Sequence, residues 1–329
     1  MRTITEKAIT KLVTQSQNPA IDQTARVPEF TAGRVNRVDW EQSDAGGKGV
    51  NVASFLADLG EPACATGLLG SANDGPFVEL FARKGIEDRC LRLPGRTRVN
   101  VKITDPVLNQ VTDLNFPGLT PAPADLERLA EIIDALCIDD AVDWLVLSGS
   151  VPAGVPEGIY ADLVRRLKAA GKRVLLDASG SPFAAALAAD AGAAMPNIIK
   201  PNIDELAELL GRPLASRAEV LAAVRALIER GVGLVAVSMG ADGALFVERD
   251  TAVLAVPPAI TVHSTVGAGD AMVAGILVGT CHGLDLAGRA RLATGCSLGA
   301  LGEVGPHLPG RDVIDALAAR VQVSEVTNV

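Results

Sequence analysis

From about residue 122 onward, short apolar runs and helical patterns alternate, and this alternation constrains the fold more than any other feature of the 329-residue chain. Helical patterns cover about 122–137, 157–170, 182–189, 203–210, 216–230, 267–281, 285–300 and 311–320. Strand-like runs lie at Trp144–Leu147, Arg173–Asp177, Ile198–Lys200, Leu234–Ser238 and Ala244–Glu248. Strands separated by helices pair through crossovers, which makes them parallel and places helices on both sheet faces. The expected class is α/β, a three-layer αβα sandwich around a mainly parallel sheet. Three of these strands run into polar or glycine-rich loops: Ser148-Gly-Ser150, Lys200-Pro-Asn202 and the Ser238–Gly243 segment with Gly240. In a parallel sheet such loops gather at one edge, where ligands bind in open α/β folds.

The first third of the chain reads differently. An apolar-leaning run from Ile9 to Thr14 is expected as a first strand, followed by Asn18-Pro-Ala-Ile-Asp22 with Asp22 just past its end. A polar residue there is either a ligand contact or a solvated loop aspartate. Residues 24–42 suggest two short strands with a turn. In Gly95-Arg-Thr-Arg-Val-Asn-Val-Lys-Ile-Thr104, strand alternation puts Arg96, Arg98, Asn100 and Lys102 on one face. Such a row suits an anion, but it also suits a solvated edge strand kept from aggregating by its charge. Val111–Phe116 is the expected hairpin partner. These polar strands do not fit a buried parallel sheet. They read as a small β-sheet lid, from about 20–42 and 96–117, on a single domain spanning residues 1–329.

A net charge of −9 argues against a nucleic-acid or membrane surface, so an anionic ligand needs a local basic cluster. Five scattered cysteines and three unclustered histidines offer no metal spacing. With no apolar segment of signal or membrane-spanning length, the expected location is cytoplasmic.

Two glycine-rich stretches precede helical patterns. In Ser264-Thr-Val-Gly-Ala-Gly-Asp270, Gly267 and Gly269 flank Ala268, and Asp270 falls in the first turn of an apolar helix. Helix N-termini present backbone N–H groups and a favourable dipole to anions. A carboxylate beside such a site needs a task, for example accepting a proton from an attacking hydroxyl. Taken alone, the stretch is equally an ordinary glycine turn. The second stretch, Asp44-Ala-Gly-Gly-Lys-Gly-Val-Asn51, contains Gly46, Gly47 and Lys48, and puts Lys48 and Asn51 on one side of a first turn. Gly49 after Lys48 excludes a Walker A loop, and Met272 excludes GxGxxG.

Together these residues resemble the ribokinase-like (PfkB) carbohydrate kinases, from about Asn18 to Ala319. Ser264–Asp270 resembles the family signature. Asn18–Asp22 with Gly46–Asn51, and Gly95–Lys102 with Thr112–Gly118, resemble its branch acting on phosphorylated ketohexoses. Ser148–Gly154 and Lys200–Glu205 resemble two further blocks. The resemblance implies transfer of the γ-phosphoryl group of MgATP to the C6 hydroxyl of fructose 1-phosphate. Alternatives are phosphorylation of tagatose 6-phosphate or fructose 6-phosphate, or a catalytically silent sugar-phosphate sensor. By the same resemblance, Asp270 is the base, and Gly267, Ala268 and Gly269 the anion hole. Asp22, Gly46, Gly47, Lys48, Asn51, Arg98, Asn100, Lys102 and Ser150 bind the sugar phosphate. Lys200, Asn202, Ser238, Gly240, Gly243 and Thr265 border the nucleotide, and Asn202 with Glu205 positions Mg²⁺ largely through water. The lid is expected to clasp a second copy in a homodimer. The charged N-terminal lead, the Asp105–Asn109 turn and the Gly302–His307 segment depart from the family pattern.

Overall fold

The structure is a computed structural model that describes residues 11–188, 195–260, 266–303 and 305–326. The first strand, β1 (Lys11–Ser16), leads at once into β2 (Ala20–Arg26) and β3 (Trp40–Gly46) of a second sheet. The chain returns to the body through α1 (Lys48–Asp58), β4 (Ala63–Gly70), α2 (Gly75–Lys84) and β5 (Glu87–Leu93). A second excursion, β6 (Arg98–Asp105) and β7 (Gln110–Leu114), completes the small sheet. Alternation then sets in: α3 (Pro123–Ile138), β8 (Val142–Ser148), α4 (Ile159–Ala169), β9 (Arg173–Asp177), α5 (Gly180–Ala188), β10 (Ile198–Ile199) and α6 (Ile203–Leu210). The remainder is α7 (Arg217–Glu229), β11 (Leu234–Ser238), β12 (Ala244–Val247), β13 (Ala252–Val256), α8 (Ala268–Cys281), α9 (Leu286–Leu301), α10 (Arg311–Ala319) and β14 (Gln322–Glu325).

The large sheet runs β14-β13-β12-β11-β10-β9-β8-β1-β4-β5. It is parallel from β11 to β5 and antiparallel from β11 through β14. Its central strands are buried on both faces and largely apolar, although β1 carries the buried polar residues Thr14, Gln15 and Ser16. In β8, Trp144 and Val146 enter one core with α1, α8 and α9, while Leu145 and Leu147 enter the other with α3, α4 and α7. β11 and β12 alternate in the same way, giving three layers. Among the described residues, no helix is long and apolar enough to cross a membrane.

The small sheet has the order β3-β2-β6-β7. Its central pair, β2 and β6, is parallel, with Asp22 opposite Asn100, and both outer pairs are antiparallel. Three expectations are corrected here. Asp22 does not follow the first strand but lies inside β2. β1 extends through Gln15 and Ser16, beyond the expected Thr14, because β4 and β8 pair with its backbone on both sides whatever its side chains; Ile9 lies outside the described residues. The strands expected within 24–42 overlap that segment only at its two ends, as β2 and β3, with the intervening residues forming a long, mostly exposed connection.

Sequence patterns also passed over β4, α2, β5, β13 and β14. β5 is a polar edge strand, and β14 lies at the opposite edge, so neither carries the apolar run of a central strand.

Candidate active site

Parallel order brings the ends of β1, β8, β9 and β10 to one edge. The switch point falls at β1, where the chain has laid β4 and β5 on one side and β8 onward on the other. Two helices begin over this edge. α1 starts at Lys48, with Gly47 as its N-cap. α8 starts at Ala268, with Gly267 as its N-cap in the left-handed region (φ 78°). The first bond of α8 runs from the Ala271 N–H to the Gly267 carbonyl, so the N–H groups of Ala268, Gly269 and Asp270 precede the helical ladder. That end presents free N–H donors and the positive pole of the helix dipole, features that favour an anion.

Asp270 is 7% exposed, and its Oδ2 accepts a hydrogen bond of 2.8 Å from Asn51 Nδ2. Burial, reinforced by the nearby Asp177 carboxylate, pushes its pKa up to about 7, against the opposing pull of Lys48, the Asn51 bond and Lys200. A carboxylate poised near neutrality is suited to accept a proton.

Asp177 was expected only as the last residue of a strand. In the structure its side chain is 1% exposed, and its Oδ1 lies 3.3 Å from both Lys48 Nζ and Lys200 Nζ. The two ammonium groups hold its carboxyl below the ordinary range despite full burial. Lys48 is in turn held charged by Asp177, Glu205 and Asp270. Lys200 points towards the start of α8: a Cβ on Gly269 would lie 3.3 Å from its Nζ. No motif announces Asp177, a single acid ending an apolar run. Only the meeting of residues 48, 177 and 200 reveals it.

Asn202 caps α6 reciprocally with Glu205. Asn202 Oδ1 accepts from the Glu205 N–H at 2.7 Å, and Glu205 Oε2 accepts from the Asn202 N–H at 2.8 Å. This leaves Glu205 Oε1, which lies 3.7 Å from Lys48 Nζ. Among the described residues, no group of three or more His, Cys, Asp or Glu side chains could hold a metal. Glu205 Oε1 is a carboxylate oxygen of the kind a magnesium ion takes alongside waters and phosphates.

On the small sheet, Asn100 Nδ2 donates to Asp22 Oδ1 at 3.1 Å. Burial raises the Asp22 pKa, partly offset by the Asn100 bond, Arg98 and Lys102. Gly46 leaves room for this carboxylate: a Cβ there would lie 2.2 Å from Asp22 Oδ2. The expected row of unpaired cations is not what forms. Lys102 pairs with Asp113 of β7 at 2.8 Å, because the antiparallel register sets the two opposite each other. Arg98 donates to the Asn18 carbonyl at 2.9 Å and, more weakly, to those of Pro19 and Phe116. Arg96 precedes the strand. Lys48 belongs to the body cluster rather than to this row. Ser150 Oγ accepts from Asn18 Nδ2 at 3.3 Å, beside the β1 end.

Of the residues expected at the nucleotide, Lys200, Asn202 and Ser238 sit together, the Ser238 N–H donating to the Pro201 carbonyl at 3.1 Å. Gly240 opens a single 3₁₀ turn beyond them. Gly243 is explained by packing, since a Cβ there would fall 2.1 Å from the Ala255 carbonyl of β13. Thr265 lies outside the described residues.

Fold and cluster together place two helix N-termini beside a buried carboxylate at the switch point of the large sheet. The family described as "pfkB family carbohydrate kinase" matches residues 15–309, and the chain belongs to it. It is thus a phosphotransferase of the kinase type, with ATP as the implied phosphoryl donor. It is 53% identical over 319 residues to the 1-phosphofructokinase of Rhodobacter capsulatus, covering 97% of this chain and 99% of that protein. The 1-phosphofructokinase of Escherichia coli (strain K12) is 37% identical over 313 residues, with 95% and 98% coverage. Among solved structures, phosphofructokinase-2 from Escherichia coli in complex with fructose-6-phosphate superposes with a TM-score of 0.85 at 27% identity, covering 94% of this chain and 98% of that one. A possible 1-phosphofructokinase from Thermotoga maritima gives 0.86 at 27% identity, with 96% and 100% coverage.

Proposed function

We propose that this chain transfers the γ-phosphoryl group of ATP to the C6 hydroxyl of fructose 1-phosphate, giving fructose 1,6-bisphosphate and ADP. The observation that carries the chemistry is Asp270, buried at the first turn of α8, bonded to Asn51 and poised near neutrality. Asp270 takes the proton from the hydroxyl as that oxygen attacks. The N–H groups of Ala268 and Gly269, behind Gly267, receive the charge that develops on the transferring group. Lys200 lies against this anion hole and neutralises nucleotide phosphate, with Ser238 and Gly240 bordering the nucleotide. Gly243 serves this border only indirectly, by shaping the turn after β11. Glu205, beside Asn202, would hold a magnesium ion, which would supply further neutralisation of phosphate charge.

The choice of acceptor rests on near-full-length similarity to 1-phosphofructokinases at up to 53% identity. The small sheet acts as a lid on a single kinase domain. Asp22 and Asn51 bind sugar hydroxyls, Gly46 and Gly47 let the backbone close on them, and Ser150 borders the same pocket. Arg98, Lys102 and Lys48, with Asn100, neutralise the 1-phosphate; Lys102 and Arg98 exchange their present partners for it. The lid also carries most of the exposed large apolar residues among those described, including Val35, Val38, Val107, Leu108, Val111 and Phe116. This patch supports a homodimer through the lid.

A coupled assay of ADP release with fructose 1-phosphate, fructose 6-phosphate and tagatose 6-phosphate tests the reading. Fructose 1-phosphate is expected to give the highest kcat/KM. A higher value for either other sugar reassigns the acceptor, and no ADP with any of them makes the chain a sensor.

A further inference from the structure

One carboxylate oxygen serves two cations from opposite halves of the site. Lys48 heads α1, next to the lid hairpin that ends at Gly46, while Lys200 follows β10 and lies against the start of α8. Asp177 Oδ1 is 3.3 Å from each ammonium nitrogen, and its side chain is almost wholly buried, as is that of Lys200. The second oxygen, Oδ2, is buried and accepts no hydrogen bond from the described residues. A buried carboxylate with one bare oxygen is costly unless its cations stay close. Neither lysine can leave Asp177 without shifting that burden onto the other.

We propose that Asp177 is a positioning residue that couples the sugar-phosphate site to the nucleotide site through its shared contact with Lys48 and Lys200. The proposal rests on the phosphotransferase reading above, in which the two lysines face different substrates. With both present, neither is fully committed to Asp177, and each remains available to a substrate phosphate. With one removed, the carboxylate draws the other onto itself and away from its substrate.

This predicts an effect across the site. In Lys48→Met, on the sugar side, the affinity for a non-hydrolysable ATP analogue, measured by calorimetry without sugar, falls about fivefold or more, a size typical of coupling between sites. In Lys200→Met, the affinity for fructose 1-phosphate without nucleotide falls comparably. A double-mutant cycle separates the shared contact from simple loss of a nearby positive charge. In an Asp177→Asn background, adding Lys48→Met is expected to leave analogue affinity unchanged, whereas a through-space effect persists. Asp177→Asn alone is expected to lower kcat by about tenfold or more, since misplaced cations degrade the reacting geometry, while both KM values move by less than about threefold.

If Asp177→Asn does not fold, Asp177→Glu replaces it. The cross effect should then shrink at least twofold, because the longer side chain cannot keep both contacts. Unchanged analogue affinity in Lys48→Met, or a cross effect undiminished in the Asp177 variant, overturns the proposal. If the unmodified protein fails to phosphorylate fructose 1-phosphate, the assignment of function fails instead, and that is read from a separate measurement.

Discussion

The mouth of the large sheet and the small sheet above it hold charge in opposite ways. At the mouth, Asp177, Lys200 and Asp270 are buried, and Lys200 together with Lys48 offsets the two acids. On the small sheet, β7 is exposed along its whole length and every residue of β6 but Asp105 is half-buried. There the cations rest on Asp113 and on backbone carbonyls, partners that a ligand can replace. A preorganised cluster suits chemistry that changes little between substrates. A wet surface with exchangeable partners suits selection of one acceptor. On the proposed function, the difference makes catalysis and specificity separable, and experiments can try to join them again.

The largest effect should follow from the mouth. Asp270→Asn is expected to lower kcat by roughly 10²–10⁴-fold, the usual contribution of a positioned base, with substrate affinities by calorimetry little changed. Near-normal turnover in that variant removes Asp270 as the base. In the unmodified protein, activity should fall as pH drops through about 7, where Asp270 takes up its proton. The stability sign is the reverse of an ion-paired aspartate. Because the folded-state pKa lies above the ordinary value of 3.8, the folded chain binds the extra proton between about pH 4 and 7, and this residue's contribution weakens as pH rises through that window. Asp270→Asn should therefore have the higher Tm at pH 8, with the advantage shrinking towards pH 5. A lower Tm at pH 8 would show that the carboxylate is held by contacts better than burial implies.

Next in size is Arg98→Ala. Losing a charge-assisted contact of about 1.5–3 kcal/mol should raise KM for the sugar phosphate about tenfold or more while leaving KM for ATP nearly unchanged. If both rise together, lid and mouth are not separable. Gly46→Ala should act in the same direction with smaller effect, because the added Cβ forces the Asp22 carboxylate to move. The smallest effect belongs to the lid tip. Asp105 accepts backbone N–H bonds from Glu29, Phe30, Val107 and Leu108, tying the two excursions of the small sheet together. In Asp105→Ala, hydrogen exchange at these four amides should quicken markedly with little change in kcat. A large fall in kcat would mean that the lid tip governs chemistry.

Periodicity made the body from α3 onward legible because buried parallel strands are continuous apolar runs flanked by amphipathic helices. It did not expose β5 or β14, which sit at sheet edges and keep polar residues. The two glycine-rich helix starts announced themselves, since close approach leaves a local mark. Asp177 left none: its role comes from two lysines distant in sequence. Nor could alternation alone foresee that Lys102 meets Asp113, because pairing depends on register across a hairpin. The placement of Asp22 failed for a related reason. Only three residues, Gln17, Asn18 and Pro19, separate β1 from the next strand, too brief a gap to read as a change of sheet.

That brevity has its own consequence. The β2–β3 hairpin leaves the body after Ser16 and rejoins it at Lys48, and its first and last residues, Ala20 and Gly46, are paired partners. Entrance and exit therefore stand side by side, about 5 Å apart as for any antiparallel pair. Topologically the hairpin is a closed insertion. Its far end can lengthen, shorten or be rewritten over generations without altering the distance the body must bridge. A lineage can retool what it accepts while inheriting the phosphoryl-transfer machinery intact.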